Sequence, residues 1–189
     1  MARWASDSRG RLEQAALALY GERGFEQTTV AEIATRAGLT ERTFFRHFAD
    51  KREVLFWGAG TLQELLVRAV AAAPAAAAPL DAIAAALEAT VTAVFQEHRE
   101  HSQQRQAVIA ANAGLQEREL IKLAALATAL ADALRRRGVG DPTAILVAEV
   151  GIAVFKIAFE RWVGETDQRD FAKLIRESFD ELKAATTGK

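Results

Sequence analysis

Two stretches of the chain hold side chains that could do chemistry. The first reads Arg42-Thr43-Phe44-Phe45-Arg46-His47-Phe48. Residues four apart share a helix face, so Phe44 and Phe48 form the side that must be buried. Arg42, Thr43, Phe45, Arg46 and His47 are left facing outward. Arginine is the commonest specific reader of DNA, donating two hydrogen bonds to guanine O6 and N7. Two arginines four apart on an outward face therefore point to nucleic acid. The second stretch is Glu97-His98-Arg99-Glu100-His101. Histidines at i and i+3 with a nearby carboxylate share a face and could hold a metal. A metal site wants further ligands, so a solvated polar stretch is the favoured reading and no metal is expected. The chain has no cysteine, and it shows no phosphate-binding loop, dinucleotide fingerprint or nucleophile elbow. No catalytic residue, no cofactor and no enzymatic activity are expected.

The residues around the first stretch set its position. Thr29 is a good N-cap, and Glu32 three residues on completes a capping box. Val30, Ile33 and Ala34 follow as an apolar face at helical spacing. Gly38 supplies the positive φ of a C-cap turn, Leu39 plugs the corner, and Thr40 caps the next helix. Asp50 and Glu53 read as another capping box, opening a helix expected to run to about residue 70. That helix would contain Gly58 and Gly60, each costing about 1 kcal/mol relative to alanine. Close packing against a neighbour and a compliant pivot are both open readings of this pair. Upstream, a helix from about residue 6 or 7 to Arg23 carries Leu12, Ala15, Ala16, Leu19 and Tyr20 as its stripe. Gly24 ends it, and Phe25 folds back as the contact of the cap. Arg3, Arg9 and Arg11 are placed to reach phosphates, with a solvated position near a terminus as the alternative for Arg3.

A helix, a glycine-containing turn and a helix with a polar second face make the helix-turn-helix pattern, whose second helix enters the major groove. The wider stretch, residues 11–56, resembles the DNA-binding domain of the tetracycline-repressor (TetR) family. The matching residues are Ala15, Ala16, Gly24, Phe25, Thr28, Thr29, Val30, Ile33, Ala34, Ala37, Gly38, Thr43, Phe44, Phe48, Lys51 and Leu55. The resemblance implies an all-α fold, with about nine helices at the spacing seen here. It implies an N-terminal helix-turn-helix domain of three helices, residues 1–56, and a C-terminal helical effector-binding and dimerisation domain, residues 57–189. The function implied is a ligand-responsive transcriptional regulator, most often a repressor. It would bind a palindromic operator in double-stranded DNA as a homodimer and be released by a small-molecule effector. Base contacts then fall to Arg42, Thr43, Phe45 and Arg46. Phosphate contacts fall to His47 and Lys51 and, more weakly, to Thr28 and Thr29. The family usually has Tyr where Phe45 stands, so the phenolic hydrogen bond is missing and Phe45 is left to pack on a thymine methyl or a sugar. Two other classes compete: an all-α ligand carrier or enzyme whose N-terminal helices contact protein, and an architectural DNA-binding protein without an effector.

Composition bounds these readings. Hydrophobic residues make up 50% of the chain and the formal net charge is -1, which marks a globular rather than a disordered protein. The overall charge argues nothing for nucleic acid. The local charge does, because Arg36, Arg42, Arg46, Lys51 and Arg52 stand against only Glu41 and Asp50. The absence of cysteine excludes disulfides and fits a reducing cytosol. The N-terminus lacks the apolar core of a signal peptide. The most apolar run, residues 144–158, reads as too short to cross a bilayer and is interrupted by Glu149 and Lys156. A cytoplasmic protein with no membrane partner is expected.

In the second half, residues 71–79 form a loop, because Pro74 cannot sit inside a helix and Pro79 suits the first turn of the next. Helices are expected from residue 79 to 95, around Val108 and Ile109 up to a break at Asn112-Ala113-Gly114, then over 115–137, 142–163 and from 167 on. Arg135, Arg136 and Arg137 fall in the last turn of their helix, where the dipole favours cations. No stretch alternates with strand period. The resemblance implies an effector cavity among the middle helices. Its polar candidates are Gln96, His98, Arg105 and Asn112; its wall candidates are Phe56, Trp57, Phe95, Val108, Phe155, Phe159 and Trp162. Each aromatic has the alternative of simply filling the core. Few polar handles lie there, so the effector is expected to be mainly apolar. The helix from Pro142 is apolar nearly all round and needs cover on every face. A second copy donating its last two helices would form a four-helix bundle, with Phe155, Phe159, Trp162, Phe171, Leu174 and Phe179 as interface candidates, some of them facing the intrachain core.

Overall fold

The computed structural model describes residues 2–96, 98–164 and 169–187. In chain order these form α1 (Ala2–Arg23), α2 (Val30–Arg36), α3 (Glu41–His47), a 3-10 turn (Glu53–Leu55), α4 (Ala59–Ala72), α5 (Pro79–Phe95), α6 (Arg99–Ala110), α7 (Ala113–Arg136), α8 (Asp141–Gly164) and α9 (Phe171–Thr187). The fold is all-α, and no strand occurs among the described residues. Two compact units are present. The first takes residues up to 59 together with 104–119; the second takes 60–103 and 120 onward. A single cut after residue 56 does not foresee that the end of α6 and the start of α7 fold with the N-terminal helices.

The first unit is built around one apolar cluster. Leu12, Ala16 and Leu19 of α1, Ile33 of α2 and Phe44 of α3 meet Val54 and Leu55 of the 3-10 turn and Phe56 just after it, with Val108, Ile109 and Leu115 closing the cluster. Through the last three, residues 104–119 share the core of this unit. The helix expected from Asp50 to about residue 70 is corrected to two pieces. Asp50 Oδ1 accepts the backbone N–H groups of Arg52 and Glu53 at 2.8 and 3.0 Å, but only one 3-10 turn follows before the chain re-enters a helix at Ala59. Gly58 therefore lies outside α4 and Gly60 in its first turn. A Cβ at either would meet nothing within 4 Å, so neither glycine serves close packing.

The second unit packs α5, α8 and α9 together around Ile83, Leu87, Ile152, Phe155, Leu174 and Phe179, joined by Leu66 and Val70 of α4 and Leu130 and Leu134 of α7. Gly151 lets α8 approach α5: a Cβ there would lie 2.5 Å from Ile83 Cγ2. Arg137 does not cap its own helix. It donates to the carbonyls of Val70, Ala73 and Pro74 at 3.1, 2.6 and 2.7 Å and so closes the C-terminal end of α4. Arg135 pairs with Asp132 and Asp141.

The six residues named for a dimer interface, some of them expected to face the intrachain core, all pack in the core of their own unit. Phe155, Trp162, Phe171, Leu174 and Phe179 are buried within their own chain, and Phe159 is half-buried. The physical reason is that α9 is strongly amphipathic and has one apolar stripe, which it lays against α5 and α8. Helix α8 has two. Ala144, Ala148, Ile152, Phe155, Ala158 and Trp162 face inward, while Leu146 and Ile157 are 66% and 53% exposed and Ala153 is also exposed. The expectation that this run is too short for a bilayer is also corrected, since α8 is 24 residues and passes on length and composition, as does the span Glu53–Ala72. One face of α8 lies in the core of its unit.

Candidate nucleic-acid interface

Each element that presents α3 is set by a local device. Thr29 caps α2: its Oγ1 accepts the Glu32 N–H at 3.2 Å, and Glu32 Oε2 accepts the Thr29 N–H at 2.9 Å. The Thr29 N–H first, and then the Thr29 hydroxyl, both donating to that carboxylate, hold it below the usual range. Gly38 has φ 64°, which lets the Gly38 and Leu39 N–H groups reach back to Thr35 and Ala34 carbonyls at 3.0 and 2.8 Å. Thr40 Oγ1 then accepts the Thr43 N–H at 3.2 Å and starts α3. Phe44 is fully buried and its ring lies 5.4 Å from that of Phe48. The burial of this pair fixes the rotation of α3, so Arg42, Phe45 and Arg46 are exposed, Phe45 by 56%.

The charge around α3 is narrower than the sequence suggests. Arg23 pairs with Glu32, Arg36 with Glu22 and Arg52 with Asp50, at 2.8, 2.5 and 2.9 Å. Arg42 and Arg46 have no carboxylate partner among the described residues. Arg46 Nη2 lies 3.5 Å from His47 Nε2. Burial, then the charges of Arg46 and Arg9, hold the His47 imidazole below its ordinary range. Arg9, expected among the residues that could reach phosphate, lies with its guanidinium 5.3 Å from the centre of the Trp57 ring. The two border an open groove of about 500 Å³ with His47, Phe48, Ala49, Glu53 and Arg118.

Two expected phosphate contacts sit elsewhere. Thr28 is corrected: it is 1% exposed, and its hydroxyl donates to the carbonyl of Gly24 at 2.9 Å. Lys51 Nζ donates to the carbonyls of Phe25, Thr28 and Glu26 at 2.9, 3.0 and 3.2 Å. Arg11 likewise donates to the carbonyl of Ala37 in the turn before α3. Nothing in the residue types marks these cations as turn braces, because carbonyls two dozen residues away carry no sequence signal.

The effector candidates are divided between the two units. Phe56, Trp57, Arg105, Val108 and Asn112 belong to the first unit, and Phe95, Gln96, His98, Phe155, Phe159 and Trp162 to the second. Arg105 donates to the Leu55 carbonyl at 2.6 Å and Glu119 at 3.0 Å and lies 5.1 Å from the Phe56 ring. Asn112 donates to the Val108 carbonyl at 2.7 Å. In the second unit Phe95 packs on Phe155, Phe159, Trp162 and Phe171 with ring centres 5.4–6.3 Å apart. Gln96 and His98 are exposed. The groove described above touches only Trp57 of this set, and a second open groove of about 440 Å³ along α5 and α9 touches none. Glu97, expected beside His98 and His101, lies outside the described residues, and no group of three metal-ligating side chains occurs among those described.

A cap-anchored short helix with exposed arginines, behind a glycine turn and a first crossing helix, defines a helix-turn-helix DNA-binding protein. Residues 13–56 match the family model described as bacterial regulatory proteins, tetR family, and residues 77–187 match that of the MftR C-terminal domain. The chain belongs to the TetR family of transcriptional regulators, which bind DNA and are not enzymes. Among curated relatives it is 38% identical over 84 residues to the HTH-type transcriptional regulator TcmR of Streptomyces glaucescens, covering 44% of this chain and 37% of that protein. It is 43% identical over 47 residues to the HTH-type transcriptional repressor KstR2 of Mycobacterium tuberculosis, covering 25% of this chain and 24% of that one. The chain thus matches little more than a third of the length of the first relative and about a quarter of the second. Among solved structures, a TetR-family regulator of Mesorhizobium loti superposes with a TM-score of 0.59 at 21% identity over 95% of both chains. SmeT, the repressor of the Stenotrophomonas maltophilia multidrug efflux pump SmeDEF, gives 0.61 at 19% identity over 95% of this chain and 91% of that one. These likenesses show the fold.

Proposed function

We propose that the chain is a ligand-responsive repressor that binds a palindromic operator as a homodimer, with α3 in the major groove and half-sites about one helical turn apart. The observation that carries this reading is the orientation of α3. Phe44 locks one side into the core, and the opposite side offers Arg42 and Arg46 free of carboxylates. Arg42 and Arg46 read guanine edges, Thr43 and Phe45 contact neighbouring bases, and His47 and exposed Thr29 meet phosphates. The dimer forms through the outer stripe of α8, where Leu146, Val150, Ala153 and Ile157 repeat at helical spacing and leave apolar surface uncovered. The effector is small and mainly apolar and enters the aromatic cluster of the second unit, whose rings part to admit it. The protein works in the cytoplasm, where its operator is.

The test is selection of duplexes from a randomised pool by the purified chain. Enrichment of a palindrome is expected, with a mobility shift that apolar compounds abolish. Sedimentation at micromolar concentration should show a dimer. Recovery of no preferred duplex would sink the reading.

A further inference from the structure

We infer that Lys51 is a positioning residue for α3 and not a phosphate contact; this rests on the DNA-binding reading above. A lysine ammonium has three donors and no acceptor. Here the three nearest acceptors are backbone carbonyls of Phe25, Thr28 and Glu26 at 2.9, 3.0 and 3.2 Å. The Phe25 ring closes another side of the ammonium, its centre 4.5 Å from Nζ. A phosphate oxygen could be reached only by giving up one of these bonds. Lys51 is also held from behind, because Tyr20 donates its hydroxyl to the Lys51 carbonyl at 2.7 Å.

The location gives the brace its consequence. The carbonyls belong to the turn between α1 and α2, and Thr28 immediately precedes Thr29, the N-cap of α2. Lys51 itself follows Phe48, the C-cap of α3. Its side chain therefore ties the end of the reading helix to the start of the helix before it. Loss of that tie changes the angle at which Arg42 and Arg46 meet base edges and leaves the count of phosphate contacts untouched. Arg11 differs, because a guanidinium with five donors keeps some free after bonding the Ala37 carbonyl.

The two roles separate in binding isotherms of Lys51→Met and Lys51→Arg on the selected duplex and on a scrambled one, at several salt concentrations. Circular dichroism confirms that each variant is folded at the assay temperature. A positioning role makes both variants lose about tenfold on the selected duplex, the size of one charge-assisted hydrogen bond. Binding to the scrambled duplex and the salt slope then stay near wild type. The arginine variant is decisive, since it keeps the charge but cannot seat three converging carbonyls. Tyr20→Phe, which removes the second half of the brace, should lower the same specificity ratio by a smaller factor and keeps the test alive if a Lys51 variant does not fold. Equal loss on both duplexes with a slope reduced by about one, rescued by arginine, marks a phosphate contact and overturns the inference. Unchanged binding overturns it too. If the wild-type chain prefers no duplex, it is the regulator reading that has failed.

Discussion

Helices α3 and α8 solve the same problem in opposite ways. Each buries one face in its own unit and presents a second face outward. On α3 the outer face is Arg42, Phe45 and Arg46; on α8 it is Leu146, Val150, Ala153 and Ile157. A solvated guanidinium face costs nothing when alone and suits a polyanion. An exposed aliphatic stripe is costly in water and suits an equally apolar partner. The chemistry of the uncovered face, rather than the composition of the helix, therefore names the partner. Lys51 sharpens the lesson, because a positive residue turned onto carbonyls reports the fold rather than the ligand.

The largest expected effect comes from charging the outer face of α8. Leu146→Glu with Ile157→Glu should leave the folded unit intact but give a monomer by sedimentation. Operator affinity should fall by about 10²-fold or more, through loss of the second half-site. A double variant that stays dimeric would move the interface elsewhere. On α3, Arg46→Ala should cost about 1–3 kcal/mol on the selected duplex and relax preference at one base pair per half-site. Equal loss on a scrambled duplex would make Arg46 a phosphate contact.

The inner face of α8 can be tested separately. In Gly151→Ala the new Cβ meets Ile83 Cγ2 at 2.5 Å. Overpacking of this kind costs about 1–3 kcal/mol, against about 1 kcal/mol gained in helix propensity. A small net drop in urea midpoint is expected with little change in oligomeric state, and Ile83→Ala should relieve it in a double-mutant cycle.

The smallest effect concerns His47. Its folded pKa is lowered, by burial first and then by Arg46 and Arg9. The folded chain thus favours the neutral ring. The stability due to that preference is present above the unfolded value, about 6.5, and is lost as pH falls through the folded one. DNA phosphate favours the charged ring, so operator affinity should rise on acidification across that window by less than about tenfold per pH unit, one proton at most. Arg9, Arg118 and Glu53 also line the groove that His47 borders, and Arg46 approaches its ring. His47→Gln should flatten the profile, and an unchanged profile would remove His47 from the phosphate set.

Local chemistry was legible wherever the partners are near in sequence. The Thr29–Glu32 box, the Gly38 turn, the Thr40 cap and the buried pair Phe44 and Phe48 all follow from spacings of four residues or fewer. The helical units of the second half were visible for the same reason. The two stripes of α8 were present in its period, but a helix apolar all round does not say which stripe its own chain covers.

The sequence by itself determined the helices, the turn that separates α2 from α3, and which side of α3 faces out, because hydrogen-bond caps and helical periodicity act within a turn or two. Tertiary structure alone decided that Thr28 is buried, that Lys51 braces a turn, that residues 104–119 join the first unit, and that the aromatics of α8 and α9 fill a core rather than an interface. Those outcomes depend on which surfaces meet across long stretches of chain. Burial and hydrogen bonding reward any complementary neighbour, and only the packed fold selects one.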